Sequence, residues 1–199
     1  MKNKLFTVLF VALAACGIPA GAGAEETAPP VEAANPNPNK VDINVACLSP
    51  DQVTGQMTFK EMLPHIGACI QQEKFGDASY LFSLMMTYKS FDQQRVMDDT
   101  FPMRANNFIV YTFMEVEQAK ADAYRKKYYD DLKGNHRIKL CKWLIKVGPP
   151  QYTPDFAQNP DTKDPVKLVE NFNVEAGWLK ALSEGASCPI KGLQLPYKL

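Results

Sequence analysis

The helical spacing of apolar residues, which recurs from about residue 58 to residue 182, is the feature that most constrains the fold. The clearest series lies between Met103 and Leu132, where residues on one side repeat at spacings of four and three: Ala105, Ile109, Thr112, Val116, Ala119 and Ala123. Such a series is typical of the buried seam of a helix. No stretch of six residues alternates clearly between apolar and polar, as a half-buried strand would. The sequence therefore predicts a single all-α domain of about five to seven helices.

Other segments carry helix signals of their own. Thr58 followed by Glu61 forms a capping box, which predicts that a helix begins there. A second helix is predicted from Gly76 to about Tyr88 because a broad apolar face follows Asp77. The remaining predictions are a short helix capped by Asp92, helices over about 136–147, 165–172 and 174–182, and a long irregular loop over 148–165 that holds several prolines.

The first two dozen residues indicate export. Lys2 and Lys4 form a short positive region, and an eleven-residue run, apolar except for Thr7, extends from Leu5 to Ala15. This run is too short to span a bilayer as a mature helix, so it is typical of a signal peptide. The chain is therefore expected to leave the cytoplasm.

The tetrapeptide Leu13-Ala14-Ala15-Cys16 lies where the apolar run ends, and it resembles the lipobox of bacterial lipoproteins. The resemblance implies that residues 1–15 are removed and that Cys16 is lipidated on its thiol and acylated on its new amino terminus. Because Gly17 rather than Asp follows the cysteine, the resemblance also implies the periplasmic face of the outer membrane. The alternative is ordinary cleavage after Ala22-Gly23-Ala24, which would discard the cysteine.

Residues 16–42 have the composition of a tether. They are rich in Ala, Pro, Glu and Asn, and they offer almost nothing to bury. Such a segment is expected to be disordered, with a coil length of roughly 30 Å. The sequence thus predicts a lipid anchor, a spacer and a folded domain over residues 43–199.

Four cysteines remain after the leader: Cys47, Cys69, Cys141 and Cys188. An even number in an oxidising compartment predicts two disulfides, for which three pairings are open. Cys47–Cys69 and Cys141–Cys188 are favoured because each would join a loop or a chain end to a nearby helix. A zinc site is the alternative, since His65 lies four residues before Cys69 and His136 five before Cys141. Export favours disulfides, so we expect no metal.

The charges are balanced overall but unevenly placed. The chain has 22 basic and 22 acidic residues, which argues against a nucleic-acid partner. Between Arg125 and Lys146, however, eight Lys or Arg residues face only two acids, with Tyr124, Tyr128, Tyr129 and Trp143 interleaved. This pattern indicates either a solvated helix face or a binding surface for an acidic partner or anionic lipid. The candidate residues of that surface are Arg125, Lys126, Lys127 and Arg137.

The loop 148–165 is a second candidate site. Long irregular loops in compact domains are often functional. Tyr152 and Phe156 are the aromatic residues that could act as exposed anchors for a partner. Equally, the loop's prolines and aromatic residues could attach it to the core.

The sequence favours binding over catalysis. It lacks a G-x-S-x-G elbow, an H-E-x-x-H helix and glycine-rich nucleotide loops, and it has only two histidines. We therefore expect no enzyme activity and no cofactor. A lipobox, a tether and a helical body together resemble the organisation of periplasmic immunity lipoproteins, which neutralise membrane-attacking effectors of type VI secretion by occlusion. The alternatives are a structural or assembly adaptor of the envelope and an uncharacterised periplasmic enzyme.

Overall fold

The computed structural model describes residues 40–160, 162 and 164–190. The predicted signal peptide, Cys16 and all but the last three residues of the predicted tether lie outside this part of the chain. The described residues belong to one unit, Pro36–Leu199. None of the described helices has both the length and the apolar character needed to cross a membrane.

Six α-helices and no strand make up the regular structure of the described residues, which confirms the predicted all-α class. The helices are α1 Phe59–Gln71, α2 Phe75–Arg95, α3 Phe101–Met114, α4 Gln118–Asp131, α5 Gly134–Val147 and α6 Val174–Ala186. Short 3-10 turns occur at Pro50–Gln52 and Asp155–Ala157. Thr58 caps α1 through the predicted capping box. Its side chain accepts a hydrogen bond from the Glu61 amide, and the Glu61 carboxylate accepts one from the Thr58 amide.

Helix α2 lies at the centre of the domain and packs against α1, α3, α4 and α6. Its buried residues are distributed around the helix, as expected for a helix that other helices enclose. Helix α6 approaches it closely at Gly185, where a Cβ atom would lie only 2.5 Å from the Cα of Thr87. The largest buried side chains of the domain include Tyr88 of α2 and Trp178 of α6. The core therefore forms around the α2–α6 and α2–α1 contacts.

The two disulfides have the favoured pairing, Cys47–Cys69 and Cys141–Cys188. The first ties the segment before α1 to that helix, and the second ties α5 to the residue that follows the α6 cap. Two disulfides indicate an oxidising, extracytoplasmic compartment. They also occupy the thiols that a zinc site would need, and no group of three or more ligands among the described residues could hold a metal ion.

The single long helix predicted from Met103 to Leu132 is wrong, because the chain breaks between α3 and α4. Gln71, at the end of α1, stabilises the break. Its side-chain oxygen accepts a hydrogen bond of 3.1 Å from the Glu117 amide. Its carbonyl accepts one of 2.9 Å from the Lys120 ammonium. The Glu117 amide, which a continuous helix would have bonded internally, is therefore satisfied by a residue of another helix.

The break also changes which residues are buried. Ala105, Thr112 and Val116 of the predicted seam are buried. Beyond the break, Ala119 and Ala123 are exposed. Ala121 and Tyr124 are buried in their place. Helix α4 therefore turns a different face to the core than a continuation of α3 would.

The predicted helix over 165–172 is also wrong. Its residues are mostly extended and run beside the end of α2, where Val96 and Leu168 form an isolated antiparallel bridge. The Val169 amide donates to the carbonyl of Arg95 and the Met97 amide to that of Lys167, both at 2.8 Å. The short helix predicted at Asp92 is part of α2, which continues to Arg95. Backbone pairing between distant segments therefore replaces local helix formation here.

Candidate protein-binding surface

A cleft lined by aromatic rings opens where α2, α3 and α4 meet. It encloses about 260 Å³. We call it the aromatic cleft, and its lining residues are Phe82, Phe113, Tyr124, Arg125, Tyr128 and Tyr129. Tyr129 is 60 % exposed at its mouth, whereas Tyr124 is buried at its base.

Packing holds the cleft in one shape. The ring of Phe82 lies edge-on to those of Phe113, Tyr124 and Tyr128, with centroids 5.9, 6.2 and 5.1 Å away. Such geometries are favourable for aromatic pairs. The hydroxyl of Tyr128 accepts a 3.3 Å hydrogen bond from Ser83. Burial raises the pKa of Tyr128, so its ring stays neutral at physiological pH. The cleft is therefore a preformed apolar surface with a polar group inside it.

Arg125 places a positive charge in the wall of the cleft, and Lys126 is exposed on the same helix. Arg125 donates a 2.9 Å hydrogen bond to Asp122, but both side chains are more than half exposed, so water screens this pair strongly. Lys126 is exposed and forms no ion pair with any residue of the described chain. Both cations are thus accessible to an acidic partner.

Lys127 and Arg137, the other two predicted basic residues, are both partly buried. Lys127 forms an ion pair with the buried carboxylate of Asp131. Asp131 also accepts a 2.9 Å hydrogen bond from Ser79, and it lies 3.8 Å from Nδ1 of His136. The Nε atom of Arg137 is buried and has no hydrogen-bond partner in the described part of the chain. The predicted basic surface is therefore divided, and its exposed part is Arg125, which lines the cleft, and Lys126.

Tyr152 and Phe156 do not join this surface. The hydroxyl of Tyr152 donates a 2.9 Å hydrogen bond to Asp92, ten residues beyond Phe82 in α2, which is about 15 Å along the helix axis. The ring of Phe156 lies 5.8 Å from that of Phe59. Both residues are partly buried. The geometry favours the alternative in which the loop is attached to the core.

Asp92 is the most perturbed carboxyl group beneath that loop. It is fully buried, and its Oδ1 atom lies 2.7 Å from both Nε and Nη2 of Arg95. Burial raises the pKa of Asp92 to about 6, although Arg95 and the Tyr152 hydroxyl act in the opposite direction. Arg95 also donates to the Tyr152 carbonyl at 3.0 Å. All these groups are engaged with one another, so the network fastens the loop to α2.

No protein-family model matches the chain, and no curated protein and no solved structure has a significant match to it.

The chemistry of the aromatic cleft indicates what it can hold. Its volume is below the 300–1,000 Å³ of typical small-molecule pockets and is suited to a single apolar or aromatic side chain. Arg125 at its wall is suited to a carboxylate beside that side chain. Sequence reasoning missed Phe82 and Phe113 because each follows the apolar pattern of its own helix. Only their packing against α4 places them next to the basic segment.

Proposed function

We propose that the protein is an exported, lipid-anchored binding protein of the bacterial envelope that docks an acidic partner protein at the aromatic cleft. The observation that carries this proposal is the preformed aromatic cleft with Arg125 in its wall. The two disulfides support export. Cys16 is the proposed site of lipid attachment, and the periplasmic face of the outer membrane is the proposed location.

Rigid aromatic side chains and arginine are the residues that contribute most to binding energy at protein interfaces. The cleft presents both, and its rings are already packed against one another, which lowers the entropy lost on binding. An apolar side chain of the partner would fill the cavity. A neighbouring carboxylate would contact Arg125 or Lys126, which would also accelerate association.

Among partners of this kind, we propose a membrane-attacking toxin that the protein neutralises by covering its active surface. An anchored inhibitor would meet such a toxin where it acts. A resident envelope protein, for which this chain would be an adaptor, is the alternative partner and would be found in cells that carry no toxin gene.

The test is cross-linking and affinity purification of the full-length protein from membranes, followed by mass spectrometry. Charge reversal by Arg125→Glu and truncation by Tyr129→Ala should each reduce recovery of the partner at least tenfold. Lys180→Glu, a reversal at an exposed site on α6, is the matched control and should leave recovery unchanged.

The purified partner then provides the decisive measurement. Its Kd for the wild type should rise with ionic strength, and this salt dependence should weaken in Arg125→Glu. The proposal is overturned if no partner depends on Arg125 and Tyr129, or if the partner has a basic contact surface. Intact mass of the mature protein and of Cys16→Ser tests the lipid attachment separately.

A further inference from the structure

The outward face of α3 carries large apolar side chains that nothing covers within the described chain. Met103 is 61 % exposed, Val110 56 % and Met114 71 %. At 100° per residue these three positions lie within about 40° of one another around the helix. They therefore form one apolar stripe, which we call the α3 stripe.

The residues of α3 on either side of the stripe are also uncharged. The residues within about 80° on either side are Asn106, Asn107, Tyr111 and Phe113. Arg104 lies just beyond this arc and bonds instead to Asp98 and to the carbonyl of Ala157. Surface helices in water ordinarily carry charges on their outward face, as α4 does with Asp122, Arg125 and Lys126. The outward face of α3 therefore has the character of a surface that leaves water.

The described chain begins beside this face. Lys40 lies 4.0 Å from Glu115, the residue that follows Met114. The side chains of Ile43 and Thr112 both lie close to Gly67, at the contact between α1 and α3. The polypeptide that leads to Cys16 thus joins the domain at the carboxyl end of the stripe.

The length of that connection limits the distance to a lipid on Cys16. Lys40 follows Cys16 by 24 positions, and the composition between them is that of a coil with an end-to-end distance of roughly 30 Å. A lipid-anchored protein would therefore hold this end of α3 within about one domain diameter of the bilayer. At such a distance the effective concentration is high, so a weak contact is sufficient for docking.

We propose that the α3 stripe inserts into the periplasmic leaflet of the bilayer to which Cys16 anchors the protein, an inference that rests on the proposed lipid anchor. The helix lies in the membrane plane, with Met103, Val110 and Met114 among the upper acyl chains. Phe113 and Tyr129, beside the stripe and in the adjoining cleft, suit the headgroup level, where aromatic residues concentrate.

This orientation also determines where the proposed partner would meet the protein. Phe113 belongs both to the arc around the stripe and to the aromatic cleft. Insertion of the stripe would therefore hold the cleft at the membrane surface. A partner that attacks lipids would meet the cleft at the place where it engages its substrate.

The test uses the full-length lipidated protein in vesicles of phosphatidylethanolamine and phosphatidylglycerol that contain brominated acyl chains, which quench nearby tryptophans. Val110→Trp places a reporter on the stripe, and Lys180→Trp places a matched one on the exposed side of α6. The unmodified protein supplies the background of Trp143 and Trp178. We expect Val110→Trp to be quenched at least twofold more than Lys180→Trp, with a blue-shifted emission. Adding Met103→Lys and Met114→Lys should remove the difference.

The outcomes separate the two proposals. Vesicle flotation and intact mass report the anchor. If the protein floats with a lipid on Cys16 but both reporters are quenched equally, the stripe does not insert and only this inference fails. A blue shift without vesicles that grows with protein concentration would assign the stripe to a second copy and overturn it. If no lipid is found and the protein does not float, the anchor and this inference fail together.

Discussion

The phenolic hydroxyl of Tyr152 donates a 2.9 Å hydrogen bond to the buried carboxylate of Asp92, sixty residues earlier in the chain. Arg95 completes the connection because it bonds both to that carboxylate and to the backbone carbonyl of Tyr152. Its guanidinium also lies over the Tyr152 ring, 5.4 Å from the centroid. The loop that follows α5 is thereby held on the end of the central helix.

Replacing Tyr152 by Phe should destabilise the protein by about 1–3 kcal/mol, because a buried acceptor loses its partner while the ring is kept. Urea unfolding followed by circular dichroism measures this change. Tyr129→Phe, which removes a hydroxyl from a largely exposed ring, should cost less than about 0.5 kcal/mol. Equal losses in the two variants would contradict a special role for the Tyr152 hydroxyl.

The raised pKa of Asp92 makes stability depend on pH. The pKa is about 6 in the folded protein against 3.8 for the free group, so between these values the folded protein holds a proton that the unfolded chain has released. This contribution is fully present below about pH 4 and is lost as the pH rises through 6. The free energy of unfolding of the wild type minus that of Asp92→Asn should fall by up to about 3 kcal/mol across the window. A constant or rising difference would show that burial does not dominate the pKa.

Gly185→Ala should destabilise the protein by about 3 kcal/mol. The added Cβ would meet the Thr87 Cα at 2.5 Å and the Met86 carbonyl oxygen at 2.7 Å, and backbone atoms cannot move aside without separating α2 from α6. Gly76→Ala is the control, since its Cβ would meet nothing within 4 Å. It should leave the thermal midpoint unchanged or raise it, as alanine is the better helix former. Similar losses at both positions would refute the close contact.

Removing either disulfide should cost about 3–4 kcal/mol, because each restricts the unfolded chain. Cys141 and Cys188 are 47 residues apart, and Cys47 and Cys69 are 22 apart. The chain-entropy relation therefore predicts that paired Ala substitutions cost roughly 0.7 kcal/mol more at the longer loop. Urea unfolding of the two double variants under non-reducing conditions measures the order. A larger loss at the shorter loop would indicate that native contacts, rather than loop entropy, dominate.

The helices with strong local signals could be predicted from the sequence. The capping box at Thr58 marks the start of α1, and a 3.6-residue pattern marks α5 and α6. Helix α2 was predicted only to about Tyr88, although it continues to Arg95. The break between α3 and α4 could not be predicted, because the groups that satisfy it belong to Gln71 in another helix. The extended segment 165–172 escaped prediction for the same reason, since its partners lie at the end of α2.

The candidate site was predicted in part. The basic and aromatic composition of α4 is local, and it drew attention to Arg125 and Lys126, both of which are exposed. The cleft itself depends on Phe82 and Phe113, whose apolar character is equally typical of core residues. Tyr152 shows the converse, because an aromatic residue in a proline-rich loop resembles an exposed anchor until its hydroxyl meets Asp92.

The all-α class and most of the helix positions follow from the sequence, because caps and periodicity act over short distances along the chain. Of the three cysteine pairings that the sequence leaves open, the structure contains the favoured one. Contacts in three dimensions set where α3 ends, which cations turn outward and which rings surround a cavity. Those features depend on contacts between helices far apart in sequence, and no local pattern encodes the rotation of one helix against another.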